Sequence, residues 1–203
     1  MARTDRGICR NRRFMSPNRC RRRLLFGGAL WVAAAATHAQ DRAGCPTLLN
    51  HRAQRLQDEA VQDLCQYAGQ VLLVVNTASY CGFTPQYEAM EALFGRFAQR
   101  GFQVLGFPSN DFRQESSDRQ KIAELCFNTY GVKFPMFTPI PVRGAQAHPL
   151  YQELARASGE SPRWNFHKYL VDRRGRVVAS YPSNVSPLDA RVTARIEQLL
   201  AER

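Results

Sequence analysis

The chain has 203 residues and a formal net charge of +11, a balance that ordinarily raises a nucleic acid or an anionic membrane as partner. Residues 1–39, however, hold nine Arg against one Asp, a net of +8, and the rest of the chain holds 19 basic and 16 acidic residues, a net of +3. No later window interleaves clustered Arg or Lys with aromatics, so no nucleic-acid partner is expected.

The excess charge belongs to a targeting pattern. Arg21, Arg22 and Arg23 precede an apolar run from Leu24 to Ala36, followed by Thr37-His38-Ala39. A cationic region, a short apolar region and small residues at −3 and −1 describe a secretory signal peptide. The run of 13 residues is shorter than the ~20 that cross a bilayer, so membrane attachment is expected only through an uncleaved signal. Cleavage is expected after Ala39, translation starting at Met1 or at Met15, and the mature protein in the periplasm. The triple arginine also fits a twin-arginine pattern loosely. Cys45 follows Ala43-Gly44, but Arg42 stands where a lipoprotein signal needs an apolar residue, so lipidation is not expected.

Residues 40–203 have the length of one domain with a sizeable core, and no linker or repeat divides them. Residues 47–64 carry a weak hairpin pattern. Val71-Leu72-Leu73-Val74-Val75 reads as a strand buried on both faces. From Pro85 to Gln99, Met90, Leu93, Phe94 and Phe97 mark one face of a helix, with Thr84 as its cap and Gly101 at its end. Phe102 to Phe107 is a second strand, which makes a βαβ unit. A helix is expected from Ser117 to Tyr130 with Ile122, Leu125, Cys126 and Tyr130 on its apolar side. Phe134 to Phe137 leads into a short strand, and Pro149 to Ala157 into a short helix. Lys168–Val171 and Val177–Tyr181 are strands joined at Asp172-Arg173-Arg174-Gly175, and a helix from Leu188 to Ala201 closes the chain. The sum is an α/β protein with a central mixed sheet and helices on both faces, in an order that suits a thioredoxin-like fold.

Cys81 stands at the joint between the first central strand and its helix. Unpaired N–H groups and the positive end of the helix dipole point at such a joint, which favours a thiolate there. A thioredoxin-type dithiol would need a second cysteine at position 84, which is Thr. The single cysteine is therefore tilted toward sulfenic-acid chemistry. The four histidines, His38, His51, His148 and His167, show no paired spacing for a metal, and neither metal nor cofactor is expected.

Three segments carry a family resemblance. Val75-Asn76-Thr77-Ala78-Ser79-Tyr80-Cys81-Gly82 with Thr84-Pro85-Gln86-Tyr87 resembles the active-site signature of the glutathione peroxidases in their cysteine form. Gly106-Phe107-Pro108-Ser109-Asn110-Asp111-Phe112-Arg113-Gln114-Glu115 resembles the second signature, and Trp164-Asn165-Phe166-His167-Lys168-Tyr169-Leu170-Val171-Asp172 the third. The resemblance covers about residues 47–200 and implies a thioredoxin-like fold. It also implies a catalytic tetrad of Cys81, Gln114, Trp164 and Asn165, in which neutral amide and indole donors face the sulfur and the leaving hydroxide. Ser109, Asp111 and Ser116-Ser117 depart from the pattern at the usual Cys, Gln and Pro-Gly, in the loop that carries Gln114.

The resemblance further implies that Cys126 is the resolving cysteine, condensing with the Cys81 sulfenic acid after local unwinding of its helix. The cysteines left over, Cys45 and Cys65, are then expected to pair as a structural disulfide in an exported chain. The segment between Leu154 and Trp164 is short where tetrameric relatives carry an insertion, which implies a monomer with an open site. The expected activity is reduction of hydrogen peroxide and organic or lipid hydroperoxides, with a thioredoxin-like protein or glutathione as reductant. A peroxide sensor that oxidises a partner protein is the alternative.

Overall fold

The structure, a computed structural model, describes residues 44–202. The expected signal peptide, with its cleavage point and alternative start, lies outside the described residues.

A four-stranded sheet forms the centre, in the order β4 (Phe102–Pro108), β3 (Val71–Thr77), β5 (Lys168–Val171) and β6 (Val177–Tyr181). Strand β3 pairs in parallel with β4, and the twelve-residue helix α1 (Gln86–Phe97) lies between them in sequence. On its other edge β3 pairs antiparallel with β5, which turns back into β6. Every residue of β3 is buried, as a continuous aliphatic run requires of a central strand. Leu73 and Val75 pack with Met90, Leu93 and Phe97 of α1 and with Val192, Ile196 and Leu199 of the closing helix α4 (Ala190–Ala201). Leu72 and Val74 face the opposite layer, with Leu150, Tyr151 and Leu154 of α3 (Pro149–Ser158). Each such buried aliphatic side chain contributes about 1.5–3 kcal/mol.

The opening hairpin is present, β1 (Arg52–Gln54) against β2 (Val61–Asp63), and forms a separate two-stranded sheet. The segment at Phe134–Phe137 differs from the expected strand: it makes two isolated bridges, Met136 alongside Gly106 and Phe137 opposite Arg55. Gly106 permits this approach, because a Cβ there would strike the Met136 sulfur.

Two helix starts also differ from expectation. Thr84 does not cap α1; its hydroxyl is engaged earlier in the loop, and Pro85 takes the cap position with no side-chain bond. The second helix begins at α2 (Arg119–Ala123), capped by Asp118, and continues as a π-helical segment from Glu124 to Thr129. The wider turn places Ile122 and Cys126 fully inside, while Leu125 and Tyr130 are only half-buried.

Candidate active site

The topology explains why three distant segments meet. β3 and β4 are parallel, so the residues following Thr77 and those following Pro108 emerge at the same end of the sheet. β5 runs the other way with Lys168 opposite Val75, so the residues preceding Lys168 arrive at that same end. The three segments are the Cys81 loop, the Gln114 loop and the Trp164–Asn165 segment.

Cys81 is largely buried, in a loop that leads into α1. The Phe83 N–H donates to its sulfur at 3.4 Å, so a backbone dipole faces the atom expected to react. The Cys81 N–H donates to Thr84 Oγ1 at 3.1 Å, and the Thr84 hydroxyl donates to the Ala78 carbonyl at 2.9 Å. Thr84 thus braces both sides of the cysteine. The loop is further tied to the second segment: the Tyr80 N–H donates to the Gln114 carbonyl at 2.9 Å. The Ser79 N–H donates to Glu115 Oε1 at 3.2 Å, and the same oxygen accepts from Ser116 N–H at 2.8 Å. Burial pushes the Glu115 carboxyl up from its ordinary value, against these hydrogen bonds.

Gln114 and Asn165 meet directly, the Asn165 side-chain amide donating to Gln114 Oε1 at 3.0 Å. That bond turns the Gln114 NH2 into the group available as a donor. Trp164 is 41 % exposed, with its ring against Phe112 at a centroid distance of 5.3 Å, and its carbonyl accepts from Asn76 Nδ2 at 3.1 Å. Tyr80 beside Cys81 is 64 % exposed. Two residues flanking this machinery hold left-handed backbone, Arg113 at φ 57° and Phe166 at φ 62°. Non-glycine residues in that region cost on the order of 1–3 kcal/mol each, and such strain gathers at functional sites. The Asp111 carboxylate pins the Gln114 loop from outside by accepting from the Val142 and Arg143 N–H groups at 2.7 and 3.1 Å.

A family model for glutathione peroxidase matches residues 48–155. The chain belongs to the glutathione peroxidase family. It is by class a peroxidase, an oxidoreductase, and of the cysteine form. It is 46% identical over 151 residues to the glutathione peroxidase homolog BsaA of Halalkalibacterium halodurans, covering 72% of this chain and 95% of that one. It is 47% identical over 148 residues to the hydroperoxy fatty acid reductase gpx1 of Synechocystis, covering 68% and 86% of the two chains. The crystal structure of T. cruzi GPX1 matches with a TM-score of 0.61 at 29% identity, covering 75% of this chain and 95% of that one. The fold of this glutathione peroxidase family member is thioredoxin-like, α/β with a mixed central sheet.

The four cysteines among the described residues fall into two groups. Cys45 and Cys65 are joined in a disulfide with a sequence separation of 20. Cys81 and Cys126 are both free and belong to the same apolar cluster. Cys126 is fully buried in the π-helical segment, and its S–H donates to the Tyr87 hydroxyl at 3.4 Å. Burial pushes its thiol up to about 12.

Four residues build this site beyond those the sequence pointed to: Thr84, read from sequence only as a helix cap, and Asn76, Glu115 and Lys168, to which no role was assigned. Each is a buried polar side chain. Asn76 follows a continuous aliphatic run inside β3, and that contrast is the signal the sequence offered for it. Lys168 is fully buried, its Nζ donating to Gln86 Oε1 at 2.9 Å, the Phe166 carbonyl at 2.5 Å and the Ser183 carbonyl at 3.4 Å. Burial lowers its amine to about 7. His167, on the neighbouring position, is held down to about 4 by burial, its Nε2 bonded to Ser180 Oγ at 2.8 Å.

Proposed function

We propose that this protein is an exported, monomeric thiol peroxidase that reduces hydrogen peroxide and organic or lipid hydroperoxides in the periplasm through Cys81. The observation that carries the reading is the Gln114–Asn165 amide pair at 3.0 Å, tied through the Gln114 carbonyl to the residue before Cys81. Neutral donors held in that way stabilise a developing hydroxide or alkoxide and leave the thiolate nucleophilic.

In the first step the Cys81 thiolate attacks the distal peroxide oxygen. The O–O bond breaks, the alkoxide leaves and takes up a proton, and Cys81 becomes a sulfenic acid. In the second step the Cys126 thiol displaces hydroxide from that sulfur, giving water and a Cys81–Cys126 disulfide. A dithiol protein of thioredoxin type, or two molecules of glutathione, then returns both cysteines to thiols and is itself oxidised to the disulfide. Cys126 is buried, so this second step needs the segment around it to open. The π-helical turn supports that reading, because irregular helix turns are where a helix yields. The exposed rings of Tyr80, beside Cys81, and Trp164, beside Asn165, support bulky apolar hydroperoxides as substrates.

Stopped-flow oxidation of the mature protein by hydrogen peroxide and by a lipid hydroperoxide tests the reading. Wild type and Cys126→Ser are expected to consume one equivalent rapidly and Cys81→Ser none. Sustained turnover with a thioredoxin system is expected of wild type alone. Rapid oxidation without turnover in wild type would instead indicate a relay that passes its oxidation to a partner protein.

A further inference from the structure

A lysine amine inside a core is expensive, and an apolar side chain of similar size would ordinarily serve the packing as well. Lys168 is fully buried in β5, opposite Val75 of β3. Its three acceptors are neutral, so no ion-pair attraction offsets the cost of burying it. They come instead from three separate segments: the first turn of α1 through Gln86, the segment before β5 through Phe166, and the segment after β6 through Ser183.

The bond to Phe166 is the informative one. Phe166 holds φ 62° and follows Asn165 directly. Its N–H donates to the Asn76 carbonyl at 2.6 Å, and its carbonyl accepts from Lys168 at 2.5 Å. The strained residue is therefore gripped at both backbone polar groups, once by β3 and once by the lysine. Gln86 is itself oriented, because its Nε2 donates to the Ser183 carbonyl at 2.6 Å and its Oε1 is turned toward Lys168. The lysine thus joins the start of the helix that follows Cys81 to the carbonyl of the residue that follows Asn165.

We infer that Lys168 is a positioning residue for peroxide reduction, holding the Trp164–Asn165 segment in register with the start of α1 and acting on Cys81 chemistry through Asn165. The inference rests on the reading of Cys81 as the peroxide-reacting sulfur. A displacement of about 1 Å in such a group costs roughly 10²-fold in rate.

The test is Lys168→Met, which keeps the length and apolar stem of the side chain and removes the donors. Well below its melting temperature, the variant is expected to react with hydrogen peroxide roughly 10- to 10²-fold more slowly than wild type. Alkylation of Cys81 by iodoacetamide, which expels no hydroxide, is expected to stay within about twofold. The double variant Asn165→Ala/Lys168→Met is expected to match Asn165→Ala alone, since a residue acting through Asn165 has nothing left to position. Full peroxide reactivity in Lys168→Met, or losses that multiply in the double variant, would overturn the inference. If Lys168→Met does not fold, Gln86→Met removes one lysine acceptor instead. A selective loss with peroxide but not iodoacetamide is again expected there, and equal effects on both reagents overturn the inference. Failure of wild-type Cys81 to react with peroxide would sink the peroxidase reading itself, which is a distinguishable result.

Discussion

The side-chain amide of Asn165 donates to the side-chain carbonyl of Gln114 across 3.0 Å, joining two signatures through residues 51 positions apart. The pair behaves as one unit: Asn165 orients Gln114, and the Gln114 main chain holds Tyr80. Removing one such donor is expected to lower the rate of Cys81 oxidation by about 10²-fold. Gln114→Ala and Asn165→Ala should each show this in stopped-flow, and their double variant should lose much less than the product. Strictly multiplicative losses would mean that the two amides act separately.

Cys126 should be silent to thiol reagents in the reduced, folded protein. With its thiol pushed up to about 12 by burial, its thiolate is scarce at pH 8. Iodoacetamide labelling followed by peptide mass spectrometry is expected to mark Cys81 at least ~10²-fold faster than Cys126. Denaturation should equalise them. Comparable labelling of the two in the native state would contradict the buried placement.

Thr84 offers a test of the loop that holds the reactive sulfur. Thr84→Ala leaves the Cys81 N–H and the Ala78 carbonyl without their partner. A loss of about 1–3 kcal/mol in urea unfolding is expected, with slower peroxide oxidation. Thr84→Ser, which retains the hydroxyl, should restore most of both. Absence of rescue would mean that the methyl group, not the hydroxyl, is what matters.

His167 makes stability depend on acid. Burial depresses it from 6.5 to about 4, so between those values the unfolded chain binds a proton that the folded protein does not. Its contribution is complete above pH 6.5 and is lost as pH falls toward 4. The slope is at most about 1.4 kcal/mol per pH unit. Urea titrations across this window should give a shallower pH dependence for His167→Gln than for wild type, and identical slopes would rule the assignment out.

The Cys45–Cys65 disulfide closes a loop of about 20 residues. Replacing both cysteines with serine is expected to lower stability by about 3 kcal/mol through the freed unfolded chain. Cys81 oxidation should keep its rate. A large drop in that rate would show that the crosslink also shapes the site.

How much of this was legible in the sequence varies with the physics of each residue. The aliphatic run of β3 and the paired strands β5 and β6 are visible because burial on both faces, or a tight turn at Asp172-Arg173-Arg174-Gly175 between two β-prone runs, leaves a local pattern. The π-helical turn is not visible, because Ile122 and Cys126 at a spacing of four look the same in an α-helix. Thr84 reads as a cap, since position alone does not say which backbone N–H its oxygen meets. Gln114, Trp164 and Asn165 could be named from ordered signatures, whereas their contacts depend on strand direction, which only the sheet reveals. Lys168 at the head of a strand reads as the solvated end, and nothing local announces that Phe166, Gln86 and Ser183 close around it.

The placement of Trp164 has a practical consequence for observing the enzyme at work. The sequence holds two tryptophans, and Trp31 falls in the segment expected to be removed on export. In a chain beginning at Gln40, all tryptophan emission arises from one indole, half-exposed against Phe112 and one residue from Asn165. Intrinsic fluorescence is then a single-site spectroscopic window on the Trp164–Asn165 segment. The oxidation of Cys81 proposed above is expected to be followed through it without any dye, label or coupled assay.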